Sequence, residues 1–143
     1  GFMAAIEGSN INVLDHQYAN WNRDDGFTVM QDFLSRFPKI DAVWAQDDDI
    51  AIGVIQAVRQ ARRQDDLFIV GGGGMKDIIR RVMEGDRLTP VDVLYPPSMI
   101  STAMELTALK FISDTPIEGE YILGSPLITE ENAEQYYFPE SPF

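Results

Sequence analysis

Residues 41–53 read Asp41-Ala42-Val43-Trp44-Ala45-Gln46-Asp47-Asp48-Asp49-Ile50-Ala51-Ile52-Gly53. The apolar run 42–45, bounded by Asp41 on one side and Gln46 and Asp47 on the other, reads as a buried strand. On this reading Trp44 belongs to the core. Three aspartates follow, and then Ile50, Val54, Ile55 and Val58 recur at helical spacing. Acids at the start of this helix and Arg59, Arg62 and Arg63 at its end both suit the helix dipole. A buried strand that passes within a few residues into an amphipathic helix is the opening of a strand–helix–strand unit.

The same grammar extends to both sides. Upstream, Ile11-Asn12-Val13-Leu14 follows the turn residues Gly8, Ser9 and Asn10 and predicts a short strand. A polar stretch holding Trp21 leads to Phe27, Met30, Phe33, Leu34 and Phe37, a helix that Pro38 ends. Downstream, Leu67-Phe68-Ile69-Val70 predicts a second buried strand running into Gly71, Gly72, Gly73 and Gly74. Ile78, Ile79, Val82 and Met83 make a helix stopped at Gly85, and residues 91–95 a further strand cut by Pro96 and Pro97. Ile100, Met104, Leu106, Leu109 and Phe111 form a longer, mostly apolar helix. The tail from 117 to 143 is rich in Pro, Glu and Tyr and predicts extended pieces and one short helix at 130–137. Strand and helix alternate four times with short connections. This predicts an α/β fold with a parallel sheet flanked by helices on both faces. Phe2, Ala5 and Ile6 already have helical spacing. The chain therefore reads as beginning inside a helix, as a fragment of a longer protein would.

The chain has 143 residues, enough for one ordinary domain. Eleven basic against 23 acidic residues give a net charge of −12, which repels phosphate backbones and anionic lipid. A general nucleic-acid or membrane-surface binder is excluded on that ground. No apolar run approaches the ~18 residues that a membrane span needs. With no cysteine and a single histidine, His16, the sequence has no cysteine nucleophile and no Cys/His zinc site. His16 has no evident serine partner and G-x-S-x-G is absent. Nothing predicts an enzyme, a cofactor or a resident metal.

In open parallel sheets, ligands sit beyond the carboxyl ends of the strands. The loops to weigh therefore hold Trp21, then Gln46-Asp47-Asp48, then Gly71 to Gly74, then Tyr95-Pro96-Pro97. The glycine run invites a nucleotide reading, but Lys76 stands where G-x-G-x-x-G needs its last glycine, and Met75-Lys76-Asp77 replaces the Lys-Ser/Thr of a phosphate loop. The alternative is a tight turn where backbone approaches a neighbour or ligand closely. Asp47, Asp48 and Asp49 could hold Mg²⁺, cap the helix, or accept hydrogen bonds from ligand hydroxyls. Trp21 could cover an edge of the core, or offer a flat indole for a sugar ring to stack on while carboxylates and amides take the hydroxyls. Tyr95 places a phenol at a strand end in the same way.

These segments together resemble the ribose-binding-protein-like family of periplasmic sugar-binding proteins of ABC transporters. Residues 41–53 are similar to that family's D-A-V-x-A-x-N-D-x-x-A-x-G stretch. Ala19-Asn20-Trp21-Asn22-Arg23-Asp24-Asp25-Gly26 looks like its aromatic, acid-or-amide, Arg, x, x, Gly segment, followed by the same helix ending in Phe-Pro. Ile69-Val70-Gly71-Gly72-Gly73-Gly74 stands where the family has V-G-x-D-G, and Tyr95-Pro96-Pro97 where it has a polar ligand contact and a proline. The resemblance runs over most of residues 1–111.

It implies a type I periplasmic binding fold of two α/β lobes with a sugar between them, closing by a hinge. It further implies that this chain is the C-terminal portion. Residues 1–96 would form that lobe. Residues 97–143 would cross over and pack on an N-terminal lobe or on a second copy. Carried over one at a time, Trp21 takes the stacking position and Asp47 that of an Asn bonding sugar hydroxyls. Gly73 takes the position of a ligand-binding Asp, and Tyr95 that of a ligand-binding Gln. An Asp for Asn can only accept when ionised, and Gly73 removes a carboxylate, so the resemblance points to a sugar other than ribose or to a polyol. The implied role is import, with a membrane permease as partner, a periplasmic location and no nucleic acid. Two alternatives are the effector-binding domain of a sugar-responsive transcription regulator, which shares the fold, and a Mg²⁺-dependent phospho-acceptor domain.

Overall fold

A computed structural model describes residues 1–95, 98–113 and 117–142. Pro96 and Pro97, where the sequence predicts the crossover, lie outside the described residues. After a short helix α1 (Phe2–Ile6), the elements run α2 (Arg23–Arg36), β1 (Ala42–Trp44), α3 (Asp48–Gln60), β2 (Phe68–Val70) and α4 (Lys76–Met83). They continue with β3 (Asp92–Val93), α5 (Met99–Ile112), β4 (Leu127–Ile128) and a 3₁₀ turn (Ala133–Tyr136).

Helix α2 begins where Asn22 accepts the backbone N–H groups of Asp24 and Asp25, at 2.9 and 3.1 Å. It ends at Phe37, which the following Pro38 holds in an extended conformation (φ −114°, ψ 109°). Strands β1 and β2 pair in parallel, with Ala42 beside Phe68, Val43 beside Ile69 and Trp44 beside Val70. Parallel bridges between Val70 and Val91 and between Gly73 and Leu94 lay β3 alongside β2. β4 then adds antiparallel to β3, an edge that residues 117–143 did not advertise. Met30 of α2, Ala51, Val54, Ile55 and Val58 of α3, Ile69 of β2 and Ile78 of α4 form one buried core against the inward side of the sheet. A smaller core joins Ile79 and Val82 of α4 to Ile128 and Ala133.

Two expectations are corrected. Residues 11–14 are not a strand. Ile11, Val13 and Leu14 are exposed there, and among the described residues no neighbouring strand supplies ladder hydrogen bonds to them. Trp44 is not core but 46% exposed. Alternation along β1 sends Val43 toward the helices and Trp44 to the opposite side, where the ring of Phe2 lies 4.6 Å away. Part of the tail packs on β3 and α4. Leu94 N–H donates to the carbonyl of Pro126 at 3.0 Å, and Ile128 and Ala133 are fully buried against α4.

Candidate functional site

The N-terminal ends of α2 and α3 are held together by two glycines. A Cβ on Gly53 would stand 2.1 Å from the carbonyl oxygen of Arg23, and one on Gly26 would stand 3.0 Å from that of Ile50. Arg23 also pairs with Asp49 at 2.6 Å. The turn preceding α2 is thereby fixed at the same end of the molecule as the loop after β1. In that turn Asn22 N–H donates to the carbonyl of Ala19 at 2.8 Å, and Asn20 and Trp21 both take positive φ, 49° and 55°. A left-handed tryptophan is uncommon. Here it is secured by the buried Ala19 below and by Asn20 Nδ2 donating to Asp25 at 2.8 Å. The result leaves the Trp21 indole 67% exposed.

The three consecutive aspartates serve three separate partners. Asp47 Oδ1 caps α3, accepting from the N–H groups of Asp49 and Ile50 at 2.8 and 3.2 Å. Its Oδ2 accepts from the Tyr95 hydroxyl at 3.3 Å. Asp49 faces Arg23. Asp48 turns inward, 1% exposed. This divergence leaves the Mg²⁺-dependent phospho-acceptor alternative without a converging set of oxygens among the described residues.

Asp48 explains the glycine run. Its Oδ1 accepts from Gly72 N–H at 2.9 Å, and its Oδ2 from Gly74 and Met75 N–H at 2.9 and 2.7 Å. The loop therefore wraps a carboxylate of its own chain, using the backbone donors that a phosphate loop would offer to a ligand. Gly71 has no room for a side chain: a Cβ there would lie 2.5 Å from Asp48 Oδ1 and 3.0 Å from Asp92 Oδ1. Gly73 and Gly74 have φ of 144° and 91°, which a side chain rarely tolerates. Asp92, fully buried, accepts from the same Gly74 N–H at 3.1 Å, while its Oδ1 has no hydrogen-bond partner among the described residues. Burial, then the neighbouring Asp48 charge, pushes the Asp92 carboxyl up to about 8. Burial also raises Asp48, opposed by its N–H donors. Burial and then Asp47 raise the Tyr95 phenol.

Of the four residues expected to bind ligand, Asp47 and Tyr95 are in direct contact. Gly73 lies in the loop beneath them, its N–H donating to the carbonyl of Val93 at 2.9 Å. Trp21 is brought to the same end by the α2–α3 contact. Sequence reading missed the buried pair Asp48 and Asp92. The signal for Asp92 was present, an acid set inside the apolar strand Val91-Asp92-Val93-Leu94.

The chain is 33% identical over 131 residues to the xylitol-binding protein of Mycolicibacterium smegmatis, covering 87% of this chain and 35% of that protein. It is 30% identical over 131 residues to the ribose import binding protein of Escherichia coli, covering 92% and 43%. The crystal structure of a galactofuranose binding protein superimposes with a TM-score of 0.84 at 27% identity, over 95% of this chain and 47% of that one. The chain thus spans less than half the length of each of these relatives. Residues 1–107 match the periplasmic binding protein domain. With the parallel sheet and the loops at its carboxyl end, the chain belongs to the periplasmic binding protein family, with a fold of type I.

Proposed function

We propose that this chain belongs to the solute-binding component of an ABC importer and forms one wall of a cleft for a sugar or polyol. The carrying observation is the Tyr95–Asp47 hydrogen bond of 3.3 Å beyond the strand ends. The phenol donates its O–H to Asp47 and keeps its lone pairs, so both groups offer acceptors to hydroxyl donors. Trp21 supplies a flat apolar face for the ring or carbon chain. Gly73 offers its backbone alone, since a Cβ there would stand 3.2 Å from Asp48 Oδ2. Sugar and polyol ligands are the chemistry named for the relatives. In this reading the role is binding without catalysis, in the periplasm, with delivery to a membrane permease.

Helix α5 fits the same reading. None of its residues is buried, and Ile100, Met104, Leu109, Phe111 and Ile112 are exposed, up to 82% at Phe111. We assign residues 1–96 to one lobe and α5 to the other, whose core would cover this helix. The segment 126–137 returns to the first lobe.

The test is tryptophan fluorescence of the protein that carries both lobes, titrated with D-ribose, other pentoses, hexoses, xylitol and inositol. A saturable change that is lost in Tyr95→Phe/Asp47→Ala supports the cleft. A flat response across the panel overturns it.

A further inference from the structure

We propose that Asp48 and Asp92 share a single proton, and that this buried pair positions the glycine loop 71–75 and, through it, Asp47 and Tyr95. The last step rests on the sugar-binding reading above. The geometry is specific. One backbone N–H, that of Gly74, lies within hydrogen-bond distance of both carboxyl groups, at 2.9 and 3.1 Å. Asp48 holds three N–H donors in all and is furnished as a carboxylate. Asp92 has the shared donor and a buried Oδ1 with no hydrogen-bond partner among the described residues. A bare carboxylate in that position would be costly, whereas a protonated carboxyl can donate its O–H to Asp48. The pair underlies the ligand-facing groups. Asp48 follows Asp47 in sequence, Asp92 is three residues before Tyr95, and the Tyr95 ring lies over Gly72, 3.7 Å from where a Cβ would stand.

Among the described residues no cation pairs with Asp48 or Asp92. Asp92 faces Asp48 from α3, and the charge of Asp48 raises it further. The Tyr95 phenol responds to Asp47, Asp48 and Asp92 alike. From α4, Lys76 sends its ammonium to the carbonyl oxygen of Ser141 at 2.6 Å. From β4, Leu127 and Ile128 bring no ionisable group.

The sign follows from linkage. A carboxyl whose folded value is raised to about 8 stays protonated in the folded chain while the unfolded chain ionises near its ordinary value. Its contribution is fully present below that ordinary value and is lost as pH rises toward about 8, levelling above it. Above about 8 the folded chain holds two adjacent carboxylates, and the loop that wraps them is expected to loosen.

The experiment compares the full chain with Asp92→Asn, free of ligand, by ¹³C carboxyl titration and by hydrogen exchange of the Gly72, Gly74 and Met75 amides. Asp92 is expected to titrate near 8. Above that point the three amides should exchange at least about tenfold faster in the natural chain than in Asp92→Asn at equal pH, the factor that one pKa unit of interaction between the two carboxylates represents. An Asp92 carboxyl that titrates in the ordinary carboxylate range, or equal protection in the two chains at about pH 9.5, overturns the proposal. If Asp92→Asn does not fold, the titration of the natural chain decides alone. Xylitol binding is read separately by fluorescence. Affinity that falls above about 8 in step with the amides supports the positioning role, and affinity independent of pH removes it. Binding by no sugar or polyol at neutral pH overturns the sugar-binding reading and leaves the shared proton to stand on its own titration.

Discussion

Helices α3 and α5 are of nearly equal length, 13 and 14 residues, yet their environments are opposite. α3 buries Ala51, Val54, Ile55, Ala57 and Val58, whereas α5 buries nothing and exposes Met104, Phe111 and Ile112. The difference does not lie in apolar content, which is high in both. α3 has its apolar stripe on one side, Asp47 at its start and a partner helix at glycine distance. α5 is apolar around much of its circumference, and the described residues do not cover it. An amphipathic pattern announces a helix and the side that needs burial, but only a neighbouring surface buries it.

Substitutions at four positions break or sharpen this comparison. The largest effect is expected at Ile69, which β2 places fully buried against α3. Ile69→Ala should cost about 2–5 kcal/mol by urea unfolding. Ile100→Ala on α5 should stay within about 0.5 kcal/mol. Equal losses would show that α5 is covered in solution and would end the contrast. Next is Gly53→Ala, which drives a methyl to 2.1 Å from the Arg23 carbonyl oxygen. It should cost about 1–3 kcal/mol and shift Trp21 emission, because the turn before α2 must move. Unchanged stability and emission would mean that the two helix ends are not held in register by this contact. The smallest effect is at Asp47. Asp47→Ala removes the α3 cap and should cost about 1 kcal/mol, while Asp47→Asn keeps an acceptor and should cost a few tenths. An equal loss in both would point to the charge, and so to the helix dipole, rather than the hydrogen bonds.

The alternation of strands and helices from 23 to 95 was legible because each element carries its own period and boundaries. Pro38, the Asp47 cap and Gly85 mark ends by local chemistry that needs no distant partner. Residues 11–14 have the composition of a strand and fail to form one. A strand is completed only by hydrogen bonds to another segment, and periodicity cannot show whether that segment is present. Trp44 misled for a related reason. An apolar run of four fits a strand buried on both faces or on one, and the sequence does not say which face is covered. In the site, Trp21 and Tyr95 stood out because large aromatic groups in loops are conspicuous. Asp48 did not, because three adjacent aspartates look alike in a row and differ only in what they meet.

By itself the sequence determined the α/β order, the acid-rich start of α3, the loops at the carboxyl ends of the strands, and an acidic chain unsuited to nucleic acid. Those are properties of composition, period and short-range hydrogen bonding. Only the tertiary structure decided that the glycine run is filled by Asp48, that Asp92 shares its Gly74 donor, and that Asp47 reaches Tyr95 across 48 residues of chain. Each depends on which backbone donors converge within about 3 Å after packing, a distance that spacing along the chain does not encode.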